Sequence, residues 1–200
     1  MDIYRSYAEL AARHQQGRDY DIQCQDRGGP ILILAPHGGA IERGTSELAR
    51  AIAGDHLSYY LFESRFSTAL DSKALHITRA NFDEPICLDL IGKFQSALAI
   101  HGCHREKPVI YVGGRDEELK RSIIQALDAS GYPVRPGSGN LAGTYPTNIC
   151  NRTSTCQGVQ LELSGPMRQQ LFFDWRRRSG RRTTTPQFDR LVTTIRGVIL

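Results

Sequence analysis

Continuous apolar runs bounded by glycine, proline or histidine alternate along this chain with segments whose apolar positions recur every three or four residues. Ile31-Leu32-Ile33-Leu34, Ala97-Leu98-Ala99-Ile100 and Val109-Ile110-Tyr111-Val112 are short unbroken runs, the pattern of inner strands covered on both faces. Tyr59-Tyr60-Leu61-Phe62 and Ala74-Leu75-His76-Ile77 are two further predicted strands. Val159-Gln160-Leu161-Glu162-Leu163 alternates apolar and polar side chains as a strand does. Helical spacing predicts a first helix over residues 5 to 16, on Tyr7, Leu10, Ala11 and His14, and a second over 46 to 53 that stops at Gly54. A third helix runs on from Pro85 through Leu88 and Ile91. The strongest, over 116 to 129, opens on Asp116-Glu117-Glu118 at its positive dipole end and stops before Gly131. Two more are expected over 166 to 175 and 186 to 198. Strands alternating with helices predict an α/β fold: a three-layer α/β/α sandwich around a mixed, mainly parallel sheet. Ligands of such sheets gather at the carboxyl ends of the strands.

Composition narrows the picture without redirecting it. Two hundred residues, 40% hydrophobic and 23% charged, suit a single domain over 1–200 with one full-sized core. No apolar run approaches a membrane span, and the start Met1-Asp2-Ile3-Tyr4-Arg5 lacks the flank and apolar stretch of a signal peptide, so a cytoplasmic monomer is expected. The net charge of +4 is concentrated near the end, where Arg176, Arg177, Arg178, Arg181 and Arg182 cluster. Such a run is either a solvated loop or a surface for an anionic polymer or nucleic acid. Five cysteines, with no CxxC pair, argue against a disulfide scaffold. Cys150 and Cys156 could close a short loop, or stay free in a reducing cytosol.

The chemistry gathers behind the predicted strands. Pro36-His37-Gly38-Gly39-Ala40-Ile41-Glu42 follows the first of them, which puts His37 and Glu42 at a strand's carboxyl end. On a continuous helix, residues five apart point about 140° away from each other, so a turn must bring the two together. Gly38-Gly39 can supply it, because glycine accepts positive φ. His101 also ends a strand and is also followed by glycine. Two imidazoles and one carboxylate suit catalytic zinc, with one tetrahedral position left for water. The carboxylate of Glu162, on an otherwise well-formed strand, fits a general base; the competing reading turns Glu162 and Gln160 to solvent. His14, His56, His76 and His104 compete as ligands. His104 is the nearest rival in sequence, and His76 is a residue that could support the site or meet substrate. Asn151 and Arg152, in Asn148-Ile149-Cys150-Asn151-Arg152, offer donors to a carboxylate, as do Arg43, Arg79, Arg115 and Arg168.

Pro36 to Glu47, together with Ala99-Ile100-His101-Gly102, Tyr111-Val112-Gly113-Gly114-Arg115-Asp116, Asn148 to Arg152 and Gly158 to Ser164, resembles the phage-type poly-γ-glutamate hydrolases over nearly the whole chain. That family is similar in fold to zinc carboxypeptidases. The resemblance implies one zinc ion, His37, Glu42 and His101 as its ligands, Glu162 as the base, and hydrolysis of γ-glutamyl amide bonds in an anionic polymer or peptide. A phage-derived enzyme of this kind would be released on host lysis. The spacing departs from carboxypeptidases proper, in which the histidine and glutamate stand three apart. Two rival readings remain: a zinc amidohydrolase or peptidase of another substrate, and a basic, phage replication-associated protein that binds nucleic acid without a metal.

Overall fold

Eight consecutive buried residues, Ile31–Gly38, form the strand from which the site is built, and the rest of the sheet explains why they can all be buried. The computed structural model describes residues 2–200. In chain order the elements are α1 (Tyr7–Ala11), β1 (Tyr20–Gln25), β2 (Ile31–Gly38), α2 (Thr45–Ala53), β3 (Ser58–Ser64), α3 (Ala69–Ser72), α4 (Pro85–Ile91), β4 (Ser96–Cys103), β5 (Ile110–Gly114), α5 (Glu117–Ala129), β6 (Val134–Pro136), β7 (Val159–Ser164), α6 (Gly165–Gln170) and α7 (Pro186–Ile199), with short 3₁₀ turns between. The seven strands make one sheet in the order β1-β3-β2-β4-β7-β5-β6. Strands β3, β2, β4 and β7 run parallel; β1 pairs antiparallel with β3, and β5 antiparallel with β7. The α/β three-layer architecture with a mixed, mainly parallel sheet is therefore as the sequence predicts.

Period-two alternation divides each inner strand between two cores. Ile31, Ile33 and Ala35 of β2, Leu98 and Ile100 of β4, and Leu161 and Leu163 of β7 pack against α2, α5, α6 and α7. Leu32 and Leu34, with Ala97 and Ala99, face the other way, onto Leu10 of α1, Cys87, Leu90 and Ile91 of α4, and Phe82. Local chemistry sets where the helices start. The Asp116 side chain accepts from the Leu119 amide, and Glu84 accepts from the amides of Ile86 and Cys87 ahead of a proline in the first turn.

Three local expectations need correction. Residues 74 to 77 are not a strand: Lys73–Leu75 is a 3₁₀ turn. Leu75 and Ile77 are buried there because the segment packs on the α4 side of the sheet, so their apolar spacing reflects burial in a helical layer and not strand pairing. The first helix is confined to Tyr7–Ala11, and the helix after β7 ends at Gln170. The edge strands β1 and β6 carry no strong apolar signal, since β1 is half polar and β6 is three residues ending in proline. All five cysteines are free thiols, Cys150 buried and Cys156 exposed. No helix among the described residues is long and apolar enough to cross a membrane.

Candidate metal centre

A break in the pleat decides which face the site occupies. Along β2, Ala35 pairs with Leu61 of β3 while Gly38 pairs with Glu63, so three steps on one strand oppose two on the other. Ile31, Ile33 and Ala35 face α2, and unbroken alternation would send His37 the same way. The bulge turns it over. The His37 ring instead meets Phe82 and His76, and its Nε2 lies 2.7 Å from the Ile77 carbonyl oxygen. Gly39 then takes φ +70, and the chain folds back until the Glu42 amide donates to the His37 carbonyl at 2.9 Å. A Cβ on Gly39 would run into the Ser64 backbone. The glycine turn thus brings together two side chains five positions apart.

His101 reaches the same face by ordinary alternation from Ala97 and Ala99, and Glu162 stands beside it in the parallel β4–β7 register. His37 Nδ1 lies 3.1 Å from Glu42 Oε1 and 3.3 Å from His101 Nδ1, and His101 Nδ1 lies 3.5 Å from Glu42 Oε2. Only Nε2–H can satisfy the Ile77 carbonyl, so in a neutral His37 ring Nδ1 presents a lone pair to a carboxylate and to a second imidazole nitrogen. Three acceptors converging in this way require protons or a cation between them. Ligands about 2.0 to 2.1 Å from a tetrahedral ion lie roughly 3.3 Å from one another, so the donor set fits zinc in both chemistry and spacing.

Electrostatics reinforce the arrangement. Burial alone would raise the Glu42 carboxyl, but His37, aided by its hydrogen bond and by His101, brings it well below the usual range. The His37 ring is raised: burial opposes its charge, and the Glu42 carboxylate outweighs that opposition. The backbone amide of Gly102 donates to Glu42 Oε2 at 2.8 Å and fixes the carboxylate. Glu162 is buried at 2% exposure, against the solvent-facing reading. Burial pushes it up, with the Glu42 charge adding to the effect, while His101 and Arg79 hold back part of the shift. Its Oε1 lies 3.2 Å from a guanidinium nitrogen of Arg79 and accepts from Gln160 at 3.2 Å, and Gln160 accepts in turn from Asn148 at 2.8 Å.

The family follows from a comparison with known proteins. The sequence profile described as poly-gamma-glutamate hydrolase matches residues 4–194, nearly the whole chain. The chain belongs to the poly-gamma-glutamate hydrolase family. UPF0714 protein YmaC of Bacillus subtilis (strain 168) is 36% identical over 201 residues, covering 99% of this chain and 84% of YmaC. A solved bacteriophage poly-gamma-glutamate hydrolase superposes with a TM-score of 0.94 at 28% identity, covering 99% of this chain and 96% of that one. A zinc-free apo structure of YndL superposes with a TM-score of 0.92 at 32% identity, covering 99% and 97%. Members of this family are hydrolases, and the chain is read as one.

The other residues singled out in the sequence scatter around this hydrolase centre. Asn151 spends both amide donors on the carbonyls of Gly143 and Tyr145, at 2.7 and 2.9 Å, and so braces the loop before β7. Arg152 lies near Cys87, on the α4 side. Arg115 is exposed, and its backbone amide donates to Gly158. Arg168 is held against Gly102 and donates to the carbonyls of Leu163 and Arg43. His14 pairs with Tyr4, and His104 is exposed on the loop beyond β4. His76 is drawn in more closely than the sequence suggested. Its ring centre is 4.2 Å from that of His37, its Nδ1 is held by Asp2 at 2.7 Å, and its Nε2 points toward Glu42 Oε1 at 4.0 Å. His37, Glu42 and His76 also form a possible ion-holding group. His101 Nδ1 lies nearer the other two, at 3.3 Å from His37 and 3.5 Å from Glu42, than His76 Nε2 does to Glu42.

Proposed function

We propose that the chain hydrolyses γ-glutamyl amide bonds of poly-γ-glutamate, with one zinc ion held by His37, Glu42 and His101 and with Glu162 as general base. The observation that carries this reading is the convergence of three donor atoms 3.1 to 3.5 Å apart at the carboxyl ends of β2 and β4, beside a buried carboxylate on β7. The family's name, and the zinc-free form in which YndL was solved, support it. A zinc ion bound there supplies Lewis acidity toward an amide carbonyl and acidifies water.

The chain's own groups do the rest. Glu162, as a carboxylate, takes a proton from the attacking water as the C–O bond forms, and gives it to the amide nitrogen as the C–N bond breaks. Burial favours this exchange, because a carboxyl raised toward neutral pH can both accept and release a proton. Arg79, paired with Glu162, keeps the carboxylate aimed and carries positive charge into the cleft. Gly102 and the Ile77 carbonyl hold Glu42 and His37 in orientation.

The test is metal analysis of the purified protein beside digestion of poly-γ-glutamate with product sizing. One equivalent of zinc, shortened polymer, and loss of cleavage after dialysis against a chelator with recovery on adding zinc are expected. A zinc-replete protein that leaves the polymer intact but cuts α-linked peptides would replace the substrate and keep the chemistry.

A further inference from the structure

A cavity of about 340 Å³, bounded by Gly39 and Ala40 of the turn between His37 and Glu42, has a lining that includes six arginines: Arg43, Arg65, Arg176, Arg177, Arg178 and Arg181. Three of them are already matched. Arg65 pairs with Asp21 at 2.7 Å, Arg178 with Glu63 at 3.6 Å and Arg181 with Glu47 at 2.6 Å. Arg43, Arg176 and Arg177 have no acidic partner within ion-pair distance among the described residues.

Two further observations point to a missing acceptor. The Nε of Arg43 is buried without a hydrogen-bond partner, and so is the indole Nε1 of Trp175; the two side chains touch, with the guanidinium carbon 5.8 Å from the centre of the indole ring. A buried N–H without an acceptor is costly, and two together beside unmatched cations describe a place for an anion. Gly39, Ala40 and Arg43, which line the cavity, belong to the same turn as Glu42.

We propose that this cavity is an anion subsite in which Arg43, Arg176 and Arg177 bind a free carboxylate of the substrate chain at a unit away from the bond being cut. The carboxylate class rests on the proposed function, since poly-γ-glutamate carries one free carboxylate per unit. Guanidinium groups pair with carboxylates through two parallel hydrogen bonds.

Trp175 is the only tryptophan of the chain and stacks under Arg43, a lining residue of the cavity, so its emission reports on that guanidinium. Poly-γ-glutamate titrated into the full-length protein is expected to change that emission saturably. The apparent Kd should rise tenfold or more in Arg43→Gln and in the Arg176→Ala/Arg177→Ala double variant, whose two sites are exposed and tolerant of change. Equal affinity in wild type and in both variants, an absent response, or tighter binding of a single-stranded oligonucleotide than of the polymer would overturn the subsite. Digestion run in parallel separates this from the activity itself. Variant-sensitive binding to a protein that leaves the polymer uncut sinks the proposed reaction and upholds the subsite; cleavage with KM unchanged in the double variant sinks the subsite alone.

Discussion

His37, Glu42 and His101 differ from Glu162 in what their loss should do. Under the proposed function, removing one of the three ligands takes away a donor that the other two need, so His101→Ala should purify with far less than one equivalent of zinc. Glu162→Gln keeps the shape and the hydrogen bond from Gln160, and should hold its metal while kcat falls about 10²- to 10⁴-fold. Metal content and turnover, measured on the same preparations, check the pair; a fully active Glu162→Gln would remove the base from the mechanism. The sequence singled these residues out because His37 and His101 stand at strand ends followed by glycine, while Glu162 breaks the apolar pattern of an otherwise well-formed strand. Their supports were not legible in it. The Arg79 to Glu162 pairing and the Asp2 to His76 bond join residues 83 and 74 positions apart, beyond any local pattern, and the Gln160 to Glu162 contact needs a face assignment that alternation alone leaves open. Asn151 shows the converse: its side chain looked available in sequence, yet its donors are used inside the loop.

At the scale of elements, the pleat break in β2 matters most, and no sequence periodicity announces it. Ile31 to Ala35 alternate cleanly, and only the pairing with β3 reveals that Pro36 and His37 occupy an irregular step. Gly39 makes that step possible. Gly39→Ala meets both a positive φ and the Ser64 backbone, whereas Gly28→Ala meets a positive φ with nothing nearby. Gly28→Ala should cost about 1 kcal/mol and Gly39→Ala about 2 to 3 kcal/mol or more, read as a difference in denaturation midpoints; equal costs would argue against the close approach. The turn between α1 and β1 depends on Asp19, which accepts from the Gln15 amide and from Arg18. The Arg18 hydrogen bonds, with the Gln15 amide, hold the Asp19 carboxyl below its ordinary 3.8. A depressed carboxylate stabilises the fold above its unfolded pKa and loses that contribution as pH falls through the folded one. The stability gap between wild type and Asp19→Asn should therefore be widest near neutrality and should narrow progressively as the pH falls below the ordinary 3.8, as urea titrations at several pH values would show. Inner strands and long helices were readable because burial on two faces and capping by Asp116 leave strong patterns; edge strands such as β6 pair on one side and leave almost none.

Across the whole molecule, the basic cluster near the end splits into two roles. Arg181 is 2% exposed and ties the 176–182 segment to Glu47 of α2 and to the carbonyls of Trp175 and Gly39, while Arg176 and Arg177 remain exposed. Arg181→Leu should cost about 2 to 3 kcal/mol, at the low end for a buried pair because Glu47 keeps a quarter of its side chain in water. It should also loosen the arginine cavity, seen as weaker polymer binding; a stability unchanged within error would count against the tie. The side chains of the centre hang on β2, β4 and β7, each hydrogen-bonded to a neighbour on both sides. Amides of these strands should be among the last to exchange with deuterated solvent, and those of 174–182 and 104–109 among the first. If so, the proposed reaction runs on an inflexible anvil, and whatever adjusts to successive units of a polymer substrate does so in the loops at its margin.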